Sequence, residues 1–131
     1  MTTAASLRVL LVEDSKVLAD RLTEVIGQSN KVELTRVVET EADAVAAIRH
    51  EAFDVVILDL YLKQGNGFEV MRTLASSPSN PRIVIFTNHG LPEYQTAALS
   101  LGATYFLDKA RDYERLPLVL QEIWQKMQVA Q

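Results

Sequence analysis

The chain has 131 residues, of which 48% are hydrophobic and 23% charged, so we expect one globular domain with a core of its own. Its formal net charge of −4 argues against a basic face that contacts nucleic acid directly. The absence of cysteine excludes disulfides, zinc–thiolate sites and thiol chemistry, and the sequence predicts no signal peptide or membrane span. We therefore expect a cytoplasmic protein that contacts no membrane.

Strand-like apolar runs alternate along the chain with segments whose apolar residues recur at helical spacing. In chain order we predict strand Leu7–Val12, helix Lys16–Gly27, strand Val32–Val38, a helix from Thr40 to Ala52, strand Asp54–Leu58, helix Gly67–Ser76, strand Arg82–Thr87, helix Pro92–Leu101, strand Thr104–Leu107 and helix Glu114–Met127. This alternation predicts an α/β fold in three layers, with a doubly wound, five-stranded parallel sheet covered by five helices. We expect a single domain over residues 1–131, with its core between about residues 7 and 127.

Residues with capping or helix-ending preferences stand at several of these boundaries. Ser15 and Thr40 precede helices and are expected to accept hydrogen bonds from free N–H groups of the first turn. Gly27 and Gly102 mark helix ends, and Pro117 lies in the first turn of the last helix, where a missing N–H does little harm. The second helix is expected to present an apolar face made of Ala42, Val45, Ile48 and Ala52.

Polar residues stand directly at the ends of four of the apolar runs. These residues are Glu13 and Asp14 after the first strand, Asp59 after the third, Thr87 at the end of the fourth and Lys109 after the fifth. Because the carboxyl ends of parallel strands meet at one edge of a sheet, where α/β folds bind ligands, we expect these side chains to share one pocket. Three carboxylates, a hydroxyl and an ammonium suit a divalent cation and a phosphoryl group.

In order and spacing, this set resembles the active site of the response-regulator receiver domain of two-component signalling. A leucine and a glycine follow Asp59 by three and eight residues, as in that family. A Leu-Gly-Ala triplet precedes the last strand, and an aromatic residue, Phe106, stands three residues before Lys109. The similarity covers about residues 7 to 127, and it implies a flavodoxin-like sheet with strand order 2-1-3-4-5.

The resemblance implies that Asp59 is the phospho-acceptor, a carboxylate nucleophile that forms an acyl phosphate. Lys109 and Thr87 would complete the catalytic group: Lys109 would pair with Asp59 in the resting state, and both would contact the phosphoryl oxygens afterwards. The donor would be a sensor histidine kinase or a histidine phosphotransfer protein. We therefore expect no enzyme in the ordinary sense, since the chain would catalyse only its own phosphorylation and dephosphorylation.

The resemblance also implies a bound Mg²⁺ or Mn²⁺ ion. Its expected ligands are Asp14, Asp59 and the backbone carbonyl of Tyr61, with Glu13 acting through a water molecule. The cation would screen the neighbouring carboxylates and neutralise charge on the transferring phosphoryl group.

A switch is implied by the same resemblance. Thr87 would move toward the phosphoryl group and Phe106 would turn inward, which would change the surface formed by the fourth helix, fifth strand and fifth helix. That surface would bind a downstream protein or a second copy of the chain. Asn88, His89 and Tyr61 flank the pocket and are expected to govern access to Asp59.

Two alternatives stay open at this point. Since the chain ends after the last predicted helix, we expect a stand-alone receiver, but the segment from Lys109 to Trp124 also resembles receivers excised from DNA-binding regulators. Asn88, together with Lys63 and Ala110 where the family often has proline, is compatible with a phosphorylation-silent interaction or dimerisation module. An Asp-x-Asp phosphohydrolase and a flavin carrier are disfavoured, because the loop after the first strand lacks the motifs they require.

Overall fold

The computed structural model describes residues 6–129, in which strands and helices alternate strictly. In chain order the elements are β1 (Leu7–Val12), α1 (Lys16–Gly27), β2 (Val32–Val38), α2 (Glu41–His50), β3 (Val55–Leu58), α3 (Gly67–Ala75), β4 (Arg82–Thr87), α4 (Pro92–Ser100), β5 (Tyr105–Asp108) and α5 (Arg115–Val129). All strand pairs are parallel and the order is β2-β1-β3-β4-β5. The predicted three-layer, flavodoxin-like sheet with five helices is therefore confirmed. Residues 1–5 and 130–131 of the predicted domain lie outside the described part.

The sheet buries a separate hydrophobic cluster on each face. Residues of α1 and α5 pack on one face, and residues of α2, α3 and α4 pack on the other. The four residues of β3 are all buried, as expected for a central strand covered on both sides. Helices packed on both faces of the sheet thus fix the positions of the carboxyl ends of β1, β3, β4 and β5.

Side-chain caps fix where the helices begin. The Ser15 hydroxyl accepts a hydrogen bond from the backbone N–H of Leu18 at 3.3 Å, and the Thr40 hydroxyl accepts one from Asp43 at 3.1 Å. Both predicted caps are confirmed. The end of α4 is also as predicted, because Gly102 adopts a left-handed φ of 105° that favours glycine.

The predicted apolar face of α2 was wrong at Ala42 and Ala52, while Ile48 is buried as expected and Val45 is partly buried. Ala44, Ala47 and Ile48 are buried, whereas Ala42 and Ala52 are exposed. Alanines occur all round this helix, so its apolar pattern does not single out one face. The helix also ends earlier than predicted, at His50, after which the backbone becomes extended.

Among residues 6–129, no helix is both long and apolar enough to cross a bilayer.

Candidate functional site

The predicted pocket residues lie at the carboxyl edge of the sheet, where the ends of β1, β3, β4 and β5 carry them. Glu13 is 1% exposed, Asp59 6% and Thr87 0%, which is unusual for groups of this polarity. Asp14 and Lys109 are partly buried beside them. The core strands therefore place polar groups where little of their surface is exposed to solvent, and each buried polar group needs a partner.

Three carboxylates form the acidic side of this recess. Glu13, Asp14 and Asp59 each offer an oxygen, and these oxygens lie within 4.8 Å of one another. Mg²⁺ prefers carboxylate oxygens at about 2.1 Å, so ligands on opposite sides of the ion lie about 4.2 Å apart. Small side-chain movements would bring the three oxygens to that spacing, and the donor set therefore fits a hard divalent cation.

Lys109 neutralises two of these carboxylates. Its Nζ lies 2.6 Å from Asp59 Oδ2 and 2.6 Å from Glu13 Oε1. Burial pulls the pKa of Lys109 down, but the hydrogen bonds and charges of the two carboxylates outweigh burial and raise it above 10.5. The lysine is thus held as an ammonium. Its contact with Asp59 was implied by the resemblance, and its contact with Glu13 was not foreseen.

Glu13 is the most deeply buried of the three carboxylates. Burial raises the pKa of Glu13, and the hydrogen bonds from Lys109 and from the Ser15 backbone N–H, at 2.9 Å, offset this only in part. One Glu13 oxygen contacts Lys109 and the other contacts Ser15. Both oxygens are therefore already engaged by the protein.

Thr87 is tied to the loop that follows it. Its hydroxyl accepts a hydrogen bond from the His89 backbone N–H at 3.2 Å, and its carbonyl accepts one from the Lys109 backbone N–H at 3.0 Å. Asn88 and His89 are exposed at the mouth of the recess. Phe106 is partly buried against the cluster on the α4 side of the sheet.

The loop after β3 is built closely around Asp59. The Tyr61 backbone N–H points at Asp59 Oδ1 at 3.4 Å, and Tyr61 forms an isolated antiparallel bridge with Asn66. Glu41 accepts the Asn66 backbone N–H at 3.0 Å, which fastens this loop to α2. A β-carbon on Gly67 would lie 2.4 Å from the Asp59 carbonyl oxygen. Only glycine lets α3 begin so close to the end of β3. This is the physical reason for a glycine eight residues after Asp59.

Asp112 is a buried acid that the sequence analysis missed. Its carboxylate accepts the Asp108 backbone N–H at 2.9 Å and lies 3.3 Å from the Arg115 guanidinium. The hydrogen bond from Asp108, aided by Arg115, lowers the pKa of Asp112 below 3.8. These contacts fold the turn that carries Lys109. An acid just before a predicted helix was the signal available for it. All peptide bonds among the described residues, including that between Lys109 and Ala110, are trans.

Comparison with known proteins identifies relatives of this arrangement. The family model for the response regulator receiver domain matches residues 9–121. The photosynthetic apparatus regulatory protein RegA of Cereibacter sphaeroides is 35% identical over 104 residues, which cover 79% of this chain and 55% of RegA. A protein-glutamate methylesterase/protein-glutamine glutaminase of Myxococcus xanthus is 34% identical over 110 residues, covering 83% of this chain and 32% of that protein. The chain thus spans 32% to 55% of the length of these relatives.

Solved structures agree on the fold. The response regulator domain of Thermotoga maritima CheB superimposes with a TM-score of 0.79 at 23% identity, covering 94% of this chain and 97% of that one. The REC domain of AraT, a response regulator from Geobacillus stearothermophilus, gives a TM-score of 0.81 at 23% identity, with 95% and 97% covered.

Proposed function

The chain belongs to the response-regulator receiver family of two-component signalling, and from that premise we propose that it accepts a phosphoryl group on Asp59 in a Mg²⁺-dependent reaction. The observation that carries this proposal is the environment of Asp59. Its carboxylate is buried, lies 2.6 Å from the Lys109 ammonium and shares its recess with two further acids. A purely structural role does not require so many charges in one recess, because burying them is costly.

The proposed transfer is a displacement at phosphorus. A carboxylate oxygen of Asp59 attacks the phosphorus of a phosphohistidine, the P–N bond breaks, and the histidine leaves as the acyl phosphate forms. Lys109 then passes from Asp59 to a phosphoryl oxygen, for which its compact ammonium is suited. Thr87 is buried at the carboxyl end of β4, beside β3 and β5, and its hydroxyl is proposed to contact another phosphoryl oxygen. Proton uptake by the leaving histidine completes the step.

We assign the cation to Asp14, Asp59 and the Tyr61 carbonyl. Glu13 acts on it through water, which is supported by the partners that both of its oxygens already have. When bound, the cation screens the carboxylates and stabilises charge on the phosphoryl oxygens.

The output is proposed to be a change at α4, β5 and α5. Movement of Thr87 toward the phosphoryl group would break its hydrogen bond from His89, and Phe106, which packs on the α4 side, would follow. Because Phe106 lacks a hydroxyl, packing alone sets the balance between its two positions. The proposed partners are a sensor histidine kinase or phosphotransfer protein as donor, and a downstream protein or second copy as target. No direct nucleic-acid contact is proposed, since the chain is acidic.

Mass spectrometry of the intact chain tests this proposal. The chain is incubated with Mg²⁺ and phosphoramidate, and we expect the mass of one added phosphoryl group. Asp59→Ala and a sample with EDTA should gain nothing, whereas Asp20→Ala, which removes an exposed acid on α1, should gain as the wild type does. If the wild type gains nothing with phosphoramidate, acetyl phosphate or a phosphorylated histidine donor, the chain is a phosphorylation-silent interaction module and the proposal is wrong.

A further inference from the structure

Three aromatic rings from different segments meet beside the residues of the recess. The Tyr61 ring contacts the His89 ring, with centroids 3.9 Å apart, and stands edge-on to the Tyr94 ring at 5.9 Å. The Tyr61 hydroxyl donates a hydrogen bond to the Tyr94 hydroxyl at 2.8 Å. Tyr94 belongs to α4, so this bond joins α4 to the loop that follows Asp59.

Two of these residues are linked to the reacting groups. Tyr61 is hydrogen-bonded through its backbone to the Asp59 carboxylate, and His89 is hydrogen-bonded through its backbone to the Thr87 hydroxyl. Tyr94 has neither link. Among the hydrogen bonds of residues 6–129, Tyr94 is connected to the site through the Tyr61 side chain. A movement of α4 would therefore displace the Tyr61 ring.

The hydroxyl pair contributes little to holding the fold together. Tyr61 is 44% exposed, and the Tyr94 ring packs on Phe68 and on the neighbouring core cluster without help from its hydroxyl. A hydrogen bond between exposed hydroxyls is largely exchanged for bonds to water when it breaks. What the pair determines is where the Tyr61 ring lies.

We propose that Tyr94 is a positioning residue that, through its hydroxyl, holds the Tyr61 ring against His89 and so restricts the entry of water to Asp59. The inference rests on the proposed phospho-acceptor function, and it concerns what controls the lifetime of the acyl phosphate on Asp59. In the step concerned, water attacks phosphorus and the bond between phosphorus and the Asp59 oxygen breaks. Inorganic phosphate leaves with the protons of the water, and the carboxylate is regenerated. A partner that engages Tyr94 on α4 would release the Tyr61 ring and shorten the lifetime of the acyl phosphate.

The test is a double-mutant cycle on hydrolysis of the acyl phosphate. Wild type, Tyr94→Phe, Tyr61→Phe and the double variant are phosphorylated with phosphoramidate, the donor is removed, and the loss of the phosphoryl mass is followed. Each single variant should lose its phosphoryl group about twofold faster, the factor that corresponds to the lower end of the net contribution of one hydrogen bond, because these hydroxyls are exposed to water. The double variant should be no faster than either, since both single changes delete the same bond.

Tyr113→Phe is the matched control, because it deletes the same atom from a tyrosine that packs on Phe86, on the opposite face of the sheet from Tyr94. It should decay at the wild-type rate, and thermal midpoints of all variants should stay close to that of the wild type. Unchanged or slower decay in Tyr94→Phe would overturn the inference, as would multiplicative effects in the double variant. Failure of the phospho-acceptor proposal can be distinguished from failure of this inference, because the wild type would then take up no phosphoryl group at all.

Discussion

Replacing Lys109 with methionine should reveal how strongly the recess depends on its one ammonium. Methionine keeps the apolar stem but leaves Glu13 and Asp59 without the cation that lies 2.6 Å from each. Removing one partner of a buried ion pair costs about 3–5 kcal/mol. The side chains here are 10%, 1% and 7% exposed, so this buried range applies.

The repulsion between the carboxylates that Lys109 would leave behind gives a second estimate of similar magnitude. Two carboxylates separated by 4.8 Å, the upper limit within this cluster, repel by roughly 3.5 kcal/mol at an effective dielectric constant of about 20. Protonation of Glu13 limits the loss, because burial already raises the pKa of that carboxyl. We therefore expect Lys109→Met to lose about 3 kcal/mol in EDTA, which corresponds to a fall of about 10 °C in thermal midpoint.

Circular dichroism melts with and without Mg²⁺ provide the assay. Mg²⁺ should stabilise Lys109→Met more than the wild type, because the variant lacks the competing ammonium. Lys126→Met removes an exposed lysine that pairs with Glu122 on α5, and its midpoint should stay near the wild-type value. A Lys109→Met protein as stable as the wild type in EDTA would refute the idea that this lysine neutralises the buried acids.

Three further substitutions follow from the site. Gly67→Ala should lower the free energy of unfolding by about 2 kcal/mol in urea and slow phosphorylation, because its β-carbon would lie 2.4 Å from the Asp59 carbonyl oxygen. Glu13→Gln should raise the thermal midpoint in EDTA, because the raised pKa of Glu13 means that burial disfavours its charged form. For the same reason, lowering the pH from neutral through that raised pKa should stabilise the metal-free wild type, and Glu13→Gln should lack this component. Asp112→Ala should destabilise the chain and slow phosphorylation, because the Asp108 N–H loses its acceptor. The wild type should also lose stability as the pH falls through the lowered pKa of Asp112, and Asp112→Ala should lack this component.

Each of these predictions has a control or a contradicting result. Gly27→Ala adds a β-carbon where nothing lies within 4 Å, and it should match or exceed the wild type in stability. Equal effects at Gly27 and Gly67 would contradict the steric explanation. A lower midpoint of Glu13→Gln at every pH would contradict the burial argument. Asp112→Asn keeps an acceptor oxygen and should lose less stability than Asp112→Ala. Equal losses in the two variants would contradict a stabilising role for the hydrogen bond from the Asp108 N–H.

The sheet and the pocket could be predicted because their signals are local. A run of buried β-branched and aliphatic residues marks β3, and a single acid placed after it, Asp59, marks the carboxyl edge. Parallel topology then brings the strand ends together, whatever the side chains do in detail. The capping hydroxyls of Ser15 and Thr40 are equally local, since a cap acts within three residues of its own position.

The parts that could not be predicted depend on side-chain direction or on weak patterns. The buried face of α2 was misassigned because alanine contrasts too little with its neighbours to define a stripe. The hydrogen bond between Tyr61 and Tyr94 depends on how α4 lies against the loop after β3, which no local pattern in the sequence indicates. The bridge from Lys109 to Glu13 likewise depends on how side chains from β1 and β5 orient above the sheet.

The most direct test of the central claim is to locate the phosphoryl group on the chain. After reaction with Mg²⁺ and phosphoramidate, borohydride reduction converts an aspartyl phosphate to homoserine, which peptide mass spectrometry places on the sequence. We predict a single reduced site at Asp59, absent from EDTA-treated chain. Reduction at any other aspartate, or none in a chain that carries the added phosphoryl mass, would contradict the account.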